Sequence, residues 1–346
     1  TGDGTPVFTK TGSGVFIASG AAGNNKWNIA NGTVVVGANG ALSTGTSTAA
    51  RAIDLGFDGT SSTTNNVALY ASNGVTVSNS IYVAPNDGSA TRTIGVADAS
   101  SAATFNNEIY LHGSARLEAA SGSQATFSGN LINTGGVEKI GSGTVTLSGN
   151  NTFSGDTLVS AGTLKLDSAS GGALAATDSL TVDDTAVLLL SRSNQVNDSA
   201  DVTLSGGTIQ RDGEVNEVFG NLNLTQASFL DYGSGAVGQL RFGTYSAEFL
   251  LTVGNFAAGN TLLFGSDLTS VITDTELFSF SSEISYDWNG DTSTFTITAI
   301  PEPSAYAAAA GLLGMMLWPA RRRIVRDTKR ILGLRAPMRD RLRRAA

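Results

Sequence analysis

A short phrase recurs along this chain at a spacing that few architectures tolerate. Ser142-Gly143-Thr144-Val145-Thr146-Leu147 returns 19 residues later as Ala161-Gly162-Thr163-Leu164-Lys165-Leu166. Gly206-Gly207-Thr208-Ile209 follows about two further periods on. A second series, Leu180, Val202 and Leu222, advances by 22 and then 20 residues. A fixed period near 20 marks a solenoid, in which each turn of chain lays down about three short strands. Every strand then pairs with its counterpart one turn on, and the main chain is satisfied along the axis. Coils of roughly 19–24 residues over residues 1–300 would give about 14 turns.

The strands themselves are short and alternating. Val34-Val35-Val36, Val75-Thr76-Val77, Ile109-Tyr110-Leu111, Val145-Thr146-Leu147 and Leu164-Lys165-Leu166 each read as a half-buried strand. So do Leu180-Thr181-Val182, Val187 to Leu190, Val202-Thr203-Leu204 and Leu222-Asn223-Leu224. Gly, Asn, Asp or Ser bounds most of them, and the 42 glycines supply the turns that need φ > 0. Helical periodicity is almost absent before Pro301. Cysteine is absent, which rules out disulfides, Cys-ligated zinc, iron–sulfur clusters and thiol catalysis. The single histidine, His112, removes any site that needs two imidazoles.

Charge divides the chain. From Pro301 onward, 11 Lys and Arg face 3 Asp and Glu, a net +8; the preceding 300 residues carry 10 basic and 26 acidic groups, a net −16. An acidic body repels nucleic acid, so no nucleic-acid partner is expected. A basic tail behind an apolar stretch points to a membrane surface. The chain opens on Thr1-Gly2-Asp3-Gly4, without Met or an apolar leader; either a signal peptide has been removed or the chain is a fragment of a longer polypeptide, and the fragment is the preferred expectation.

Within the body, Glu138-Lys139-Ile140-Gly141-Ser142-Gly143-Thr144-Val145-Thr146-Leu147-Ser148-Gly149-Asn150-Asn151-Thr152-Phe153-Ser154-Gly155-Asp156-Thr157-Leu158-Val159-Ser160-Ala161-Gly162-Thr163-Leu164 resembles the autotransporter-associated β-strand repeat. The likeness is best over residues 138–166, and the coils on either side are looser. It implies a right-handed parallel β-helix in an exported bacterial surface protein. The sequence shows no C-terminal β-barrel of amphipathic ten-residue strands, so the chain is not expected to be a complete autotransporter.

The C-terminal segment has its own grammar. Ile300-Pro301-Glu302-Pro303-Ser304 precedes Ala305 to Ala320, sixteen residues without a charge, and Arg321-Arg322-Arg323 follows. Two prolines leave an extended, protease-accessible joint. Sixteen residues make about 24 Å of helix, a little short for a ~30 Å hydrocarbon core, a gap that snorkelling of Arg321 would close. The arginines would hold the tail in the cytoplasm and the acidic body outside. Pro-Glu-Pro, apolar helix and arginine cluster together resemble the PEP-CTERM sorting signal. That likeness implies an exosortase-type processing enzyme as partner, with Pro301, Glu302 and Pro303 as its recognition element. Beyond the arginines, Ile324, Val325, Thr328, Ile331 and Leu332 fall on one helical stripe among Arg326, Lys329 and Arg330, which suits an amphipathic helix on anionic lipid.

Candidate chemistry in the body is sparse. His112 lacks a nearby nucleophile and orienting carboxylate in sequence, and reads as a surface or stacking residue. Asp183 and Asp184 are adjacent, so on a strand they would point to opposite faces; they read, with Asp198 and Asp201, as turn residues. Thr11-Gly12-Ser13-Gly14 precedes strands rather than a helix, which excludes a phosphate loop. Asn65-Asn66, Asn106-Asn107 and Asn150-Asn151 read as corner residues that stacked coils would align. Trp27, Tyr82, Tyr232 and Trp288 are either sugar platforms or core and cap residues, and the core reading is preferred.

The expectation is an all-β, right-handed parallel β-helix over 1–300, then a sorting and anchor segment over 301–323 with one transmembrane helix, then a basic amphipathic tail over 324–346. The function expected is structural or adhesive, at the cell surface or in an extracellular polysaccharide matrix, after anchoring in the inner membrane. No catalysis, cofactor or metal is expected. The competing reading is a β-helical polysaccharide-binding or polysaccharide-degrading enzyme, a lyase or hydrolase.

Overall fold

The computed structural model describes residues 6–20, 25–42, 52–86, 89–234, 236–270, 272–274 and 277–300. Contacts divide the chain into two units, residues 1–300 and 301–346, and all described residues belong to the first. Those residues form strands, turns and bends without a helix. Each coil visits three faces in a fixed order. One face is an 11-stranded sheet from Val15–Ala18 to Tyr245–Ala247, and the second is a 10-stranded sheet from Thr76–Val77 to Phe278–Phe280. The third carries a six-stranded sheet ending at Leu131–Ile132, and resumes as a five-stranded sheet at Asn216–Val218.

Pairing is parallel and in register from coil to coil. Val145 lies opposite Leu164, and the series continues to Leu188 and Ile209. Leu180, Val202 and Leu222 are likewise successive rungs of the longest sheet. Each strand turns alternate residues inward, so Thr144–Leu147 buries Val145 and Leu147 and leaves its threonines half-buried outside. Identical inward positions stack: Phe105 lies on Phe127, and Phe219 on Phe242, each with ring centroids 4.9 Å apart and planes 9° from parallel. The Gly-Thr phrase is a corner device. Gly162 has φ +64°, and a Cβ there would lie 2.5 Å from the carbonyl oxygens of both Gly141 and Gly143. Only a residue without a side chain lets one corner seat on the next.

Two expectations need correction. The longest sheet has 11 strands, so the solenoid has about 11 turns, not about 14. The early coils are longer than the period suggests: Val34 pairs with Leu69, 35 residues on, and Leu69 with Ile94. Excursions of chain between strands, among them Gly56–Asn66, use up residues without adding a turn. The coil geometry also does not run in parallel to residue 300. Thr294–Ala299 pairs antiparallel with Thr261–Phe264 and with Ile284–Asn289, so a hairpin closes the third face. Reversing the chain covers a strand edge that a further coil would otherwise have to fill.

Between Leu131–Ile132 and Asn216–Val218 the third face lacks strands apart from an isolated bridge, Leu174 to Val196. Some main-chain bonds between coils remain, such as Thr152 N–H to the Leu131 carbonyl and Leu174 N–H to that of Gln195, and buried side chains supply others. Asn151 Oδ1 accepts the N–H of Leu131 at 2.8 Å, and its Nδ2 donates to the carbonyl of Ala173 at 2.8 Å. Gln195 accepts from the N–H of Ser168 and donates to its carbonyl. Glu217 receives the N–H groups of Gln195 at 2.8 Å and Val196 at 3.0 Å. Asn151 and Glu217 thus bracket the gap, and main-chain groups that the remaining bonds leave over are satisfied by amides and a carboxylate.

Candidate functional site: a corner cleft and the charges beneath it

The residues singled out for sorting, Pro301, Glu302, Pro303 and Arg321, Arg322 and Arg323, lie outside the described residues, as does the apolar stretch 305–320. Among the described residues, no helix is long and apolar enough to cross a membrane.

The acidic residues of the body do not converge. Asp183 ends the strand Ser179–Asp183, opposite Ser205, while Asp184 lies in the turn that follows, where Thr185 has φ 61°. Asp201 sits at the other end of the same pair of strands, opposite Ser179, and accepts the N–H and Nδ2 of Asn221. Asp198 is an exposed turn residue. No group of three His, Asp or Glu residues that could hold a metal ion occurs among the described residues.

Asn65, Asn66 and Asn107 are corner residues that bond to main chain in neighbouring coils, whereas Asn151, read as a corner residue, is buried on the third face. Asn65 Nδ2 donates to the carbonyl of Ala30, Asn66 Oδ1 accepts from Thr91, and Asn107 Nδ2 donates to Ser78. Of the four aromatics, Trp27 and Tyr232 are buried. The Trp27 indole N–H donates to Leu42, and the Tyr232 hydroxyl to Thr261. Trp288, half-buried, packs against the core from the closing hairpin. Tyr82 is different: it projects outward from Ile81–Val83, beside Tyr110 one coil on. The His112 ring lies 4.6 Å from the Tyr82 ring at 32°. Asn133, with φ 81°, bonds His112 Nε2 at 2.9 Å.

Two residues past His112 begins a cleft of about 370 Å³. Its walls include Asn86, Thr91, Arg92, Ser114, Arg116 and Glu138. Successive rungs of the longest sheet bring Arg116 and Glu138 side by side, and Arg116 Nε lies 2.8 Å from Glu138 Oε2. Glu138 Oε1 also accepts from the Ser160 hydroxyl at 3.1 Å. Arg92 is fully buried at the back and donates to the carbonyls of Asn65 and Thr63. Gly56 makes room for it, since a Cβ there would lie 1.9 Å from Arg92 Nε.

Sequence reasoning gave no role to the charges inside the solenoid. Lys139 sits on an inward rung between Leu117 and Val159, and its ammonium donates to the carbonyls of Ile140, Gly141 and Ala161 at 2.9, 2.6 and 2.9 Å. Burial pulls its pKa down to about 8. Arg211 lies across the buried Tyr232 ring at 4.3 Å and donates to the carbonyls of Val215, Tyr232 and Ala236 and to Asn260 Oδ1. Burial lowers its pKa as well. Burial raises the Glu217 carboxyl to about 7, against the opposing pull of the main-chain N–H groups that it accepts. A charged residue at an inward place in an alternating strand, as in Val137-Glu138-Lys139 or Thr208-Ile209-Gln210-Arg211, was the available signal.

Residues 137–166 match the family model of the passenger-associated transport repeat. The match covers the coil with the Lys139 cage and the Gly162 corner. No curated protein and no solved structure matches the chain. An autotransporter-associated repeat on a parallel β-solenoid fits a surface or secreted repeat protein.

Proposed function

We propose that this chain is an exported bacterial surface or matrix protein whose work is structural and adhesive rather than catalytic. The observation that carries this reading is the transport-associated repeat at 137–166 set within continuous parallel coils. Its charged side chains support a structural role, because Lys139, Arg211 and Glu217 are spent on main-chain bonds inside the solenoid. The segment 301–323 serves as a PEP-CTERM-type sorting signal, with Pro301, Glu302 and Pro303 read by an exosortase-type enzyme of the inner membrane. Residues 305–320 hold the chain in that membrane until processing, and Arg321, Arg322 and Arg323 keep the far end in the cytoplasm.

Fractionation of an exosortase-bearing host tests this. The unaltered protein is expected as a shortened form at the surface or in the matrix. Replacing Glu302 and Pro303 by alanine should leave full-length protein in the inner membrane. Unchanged processing of that variant would leave a plain C-terminal anchor as the better account.

A further inference from the structure

We propose that the corner of Tyr82, His112 and Asn133, continued by the cleft of Asn86, Ser114, Arg116 and Glu138, binds a neutral chain of hexopyranose sugars. The inference rests on the surface-protein reading above and adds the ligand class and the residues.

The two parts lie on adjoining faces of the solenoid and meet at one corner. His112 and Ser114 are separated only by Gly113, so they lie within about 7 Å along the chain. Gly113 is wedged against the preceding coil: a Cβ there would lie 2.5 Å from the Ala84 carbonyl oxygen and 2.9 Å from Asn86 Oδ1. The aromatic wall and the polar cleft therefore share a corner.

The chemistry is complementary to a pyranose. Such a ring has an apolar C–H face and a rim of hydroxyls. The exposed His112 ring lies over the half-buried Tyr82 ring, centroids 4.6 Å apart and planes 32° from parallel, and presents an aromatic face on the outer surface, with Tyr110 beside Tyr82 on the next strand, about 4.8 Å away. Aromatic side chains with a polar tip suit a surface that is apolar on one side and wet on the other. The cleft then offers an amide, a hydroxyl, a guanidinium and a carboxylate, a set that can donate to and accept from adjacent hydroxyls.

Charge selects the neutral class. Arg116 is matched by Glu138 at 2.8 Å, and Arg92 at the back of the cleft is turned to the main-chain carbonyls of Asn65 and Thr63, so neither guanidinium is held out toward an acidic sugar. Residues 1–300 carry a net −16, which repels a polyanion at long range.

The test is calorimetric titration of the purified full-length chain with cellohexaose, mannohexaose and hexagalacturonate. Binding of at least one neutral hexamer is expected, with no binding of the uronate. Tyr82→Ala and Arg116→Ala should each weaken it about tenfold, with unchanged circular dichroism, while Tyr82→Phe keeps it. The proposal is overturned if neither neutral hexamer binds, if only the uronate binds, or if both alanine variants lose less than about threefold. Because the titration is done on purified protein, failure here leaves the sorting account standing, and failure of the Glu302 and Pro303 experiment leaves this one standing.

Discussion

The coil at 137–166 and the coils beyond Asn194 both bury charge, and they use it differently. In the first, one ammonium gathers three carbonyls within a single corner and its neighbour. In the second, Arg211 reaches from its own strand to Asn260, 49 residues away in sequence, and ties three coils together. Glu217 meanwhile receives main-chain donors from a coil that has no strand on that face. In the first coil the ammonium plugs a corner, and the link to the coils on either side across the strandless face is made by a neutral amide, Asn151. The later coils rejoin an interrupted sheet, and there buried side chains carry contacts between turns. A sequence can thus keep one period while its buried charges change from local to long-range contacts.

Substitution of the two cations should separate these roles most strongly. Arg211→Met takes the guanidinium donor from the Tyr232 and Ala236 carbonyls, and from the Val215 carbonyl and Asn260 Oδ1, which keep the N–H groups of Gln239 and Gly238, and should cost about 3 kcal/mol. Hydrogen exchange should accelerate over several coils, from Thr208–Arg211 to Thr261–Phe264. Lys139→Met should cost less, about 1–2 kcal/mol, with faster exchange confined to the corners near Gly141 and Gly162. Equal, local effects of both substitutions would remove the distinction.

A smaller effect should appear on titration. Glu217 titrates near 4.5 when unfolded and near 7 in the native coil. Between those values the native state keeps a proton that the unfolded chain has released, so stability falls as pH rises from about 4.5 to 7 and then levels. The contribution is at most about 3 kcal/mol. Glu217→Gln should flatten that part of the melting profile, whereas Lys139→Met should leave it in place. A profile unaltered by Glu217→Gln would mean that the carboxyl is charged throughout.

The repeating phrase made much of this fold legible. Val145 to Leu164, and Leu180 to Val202 to Leu222, were readable as rungs because Gly-Thr corners and apolar alternation recur together. Turn number was not readable, because an excursion such as the one between Val34 and Leu69 breaks the period without breaking the register. The third face was equally hidden: Asn151-Thr152-Phe153 follows Leu131–Ile132 in space without strand geometry, held by the Asn151 amide and one main-chain bond from Thr152 to Leu131. Pairing direction at the end was signalled by Asn289-Gly290 between two alternating runs, a hairpin mark easily overlooked in a chain this rich in glycine. Of the cleft, Tyr82 and His112 stood out singly in sequence. Their meeting, and that of Arg116 with Glu138, depends on coil spacing of 30 and 22 residues, which only the register supplies.

The absence of cysteine makes the parallel register directly measurable by paired spin labels. Thr104, Thr126, Thr146, Lys165, Leu189 and Gln210 are successive outward positions of one sheet. Cysteines placed at Thr104 and at Lys165, Leu189 or Gln210 should report distances that lengthen by about 4.8 Å per step. That linear series is the result the solenoid requires. Distances that stop growing, or that shorten toward Gln210, would mean the strands fold back on one another and would contradict the parallel coil stack.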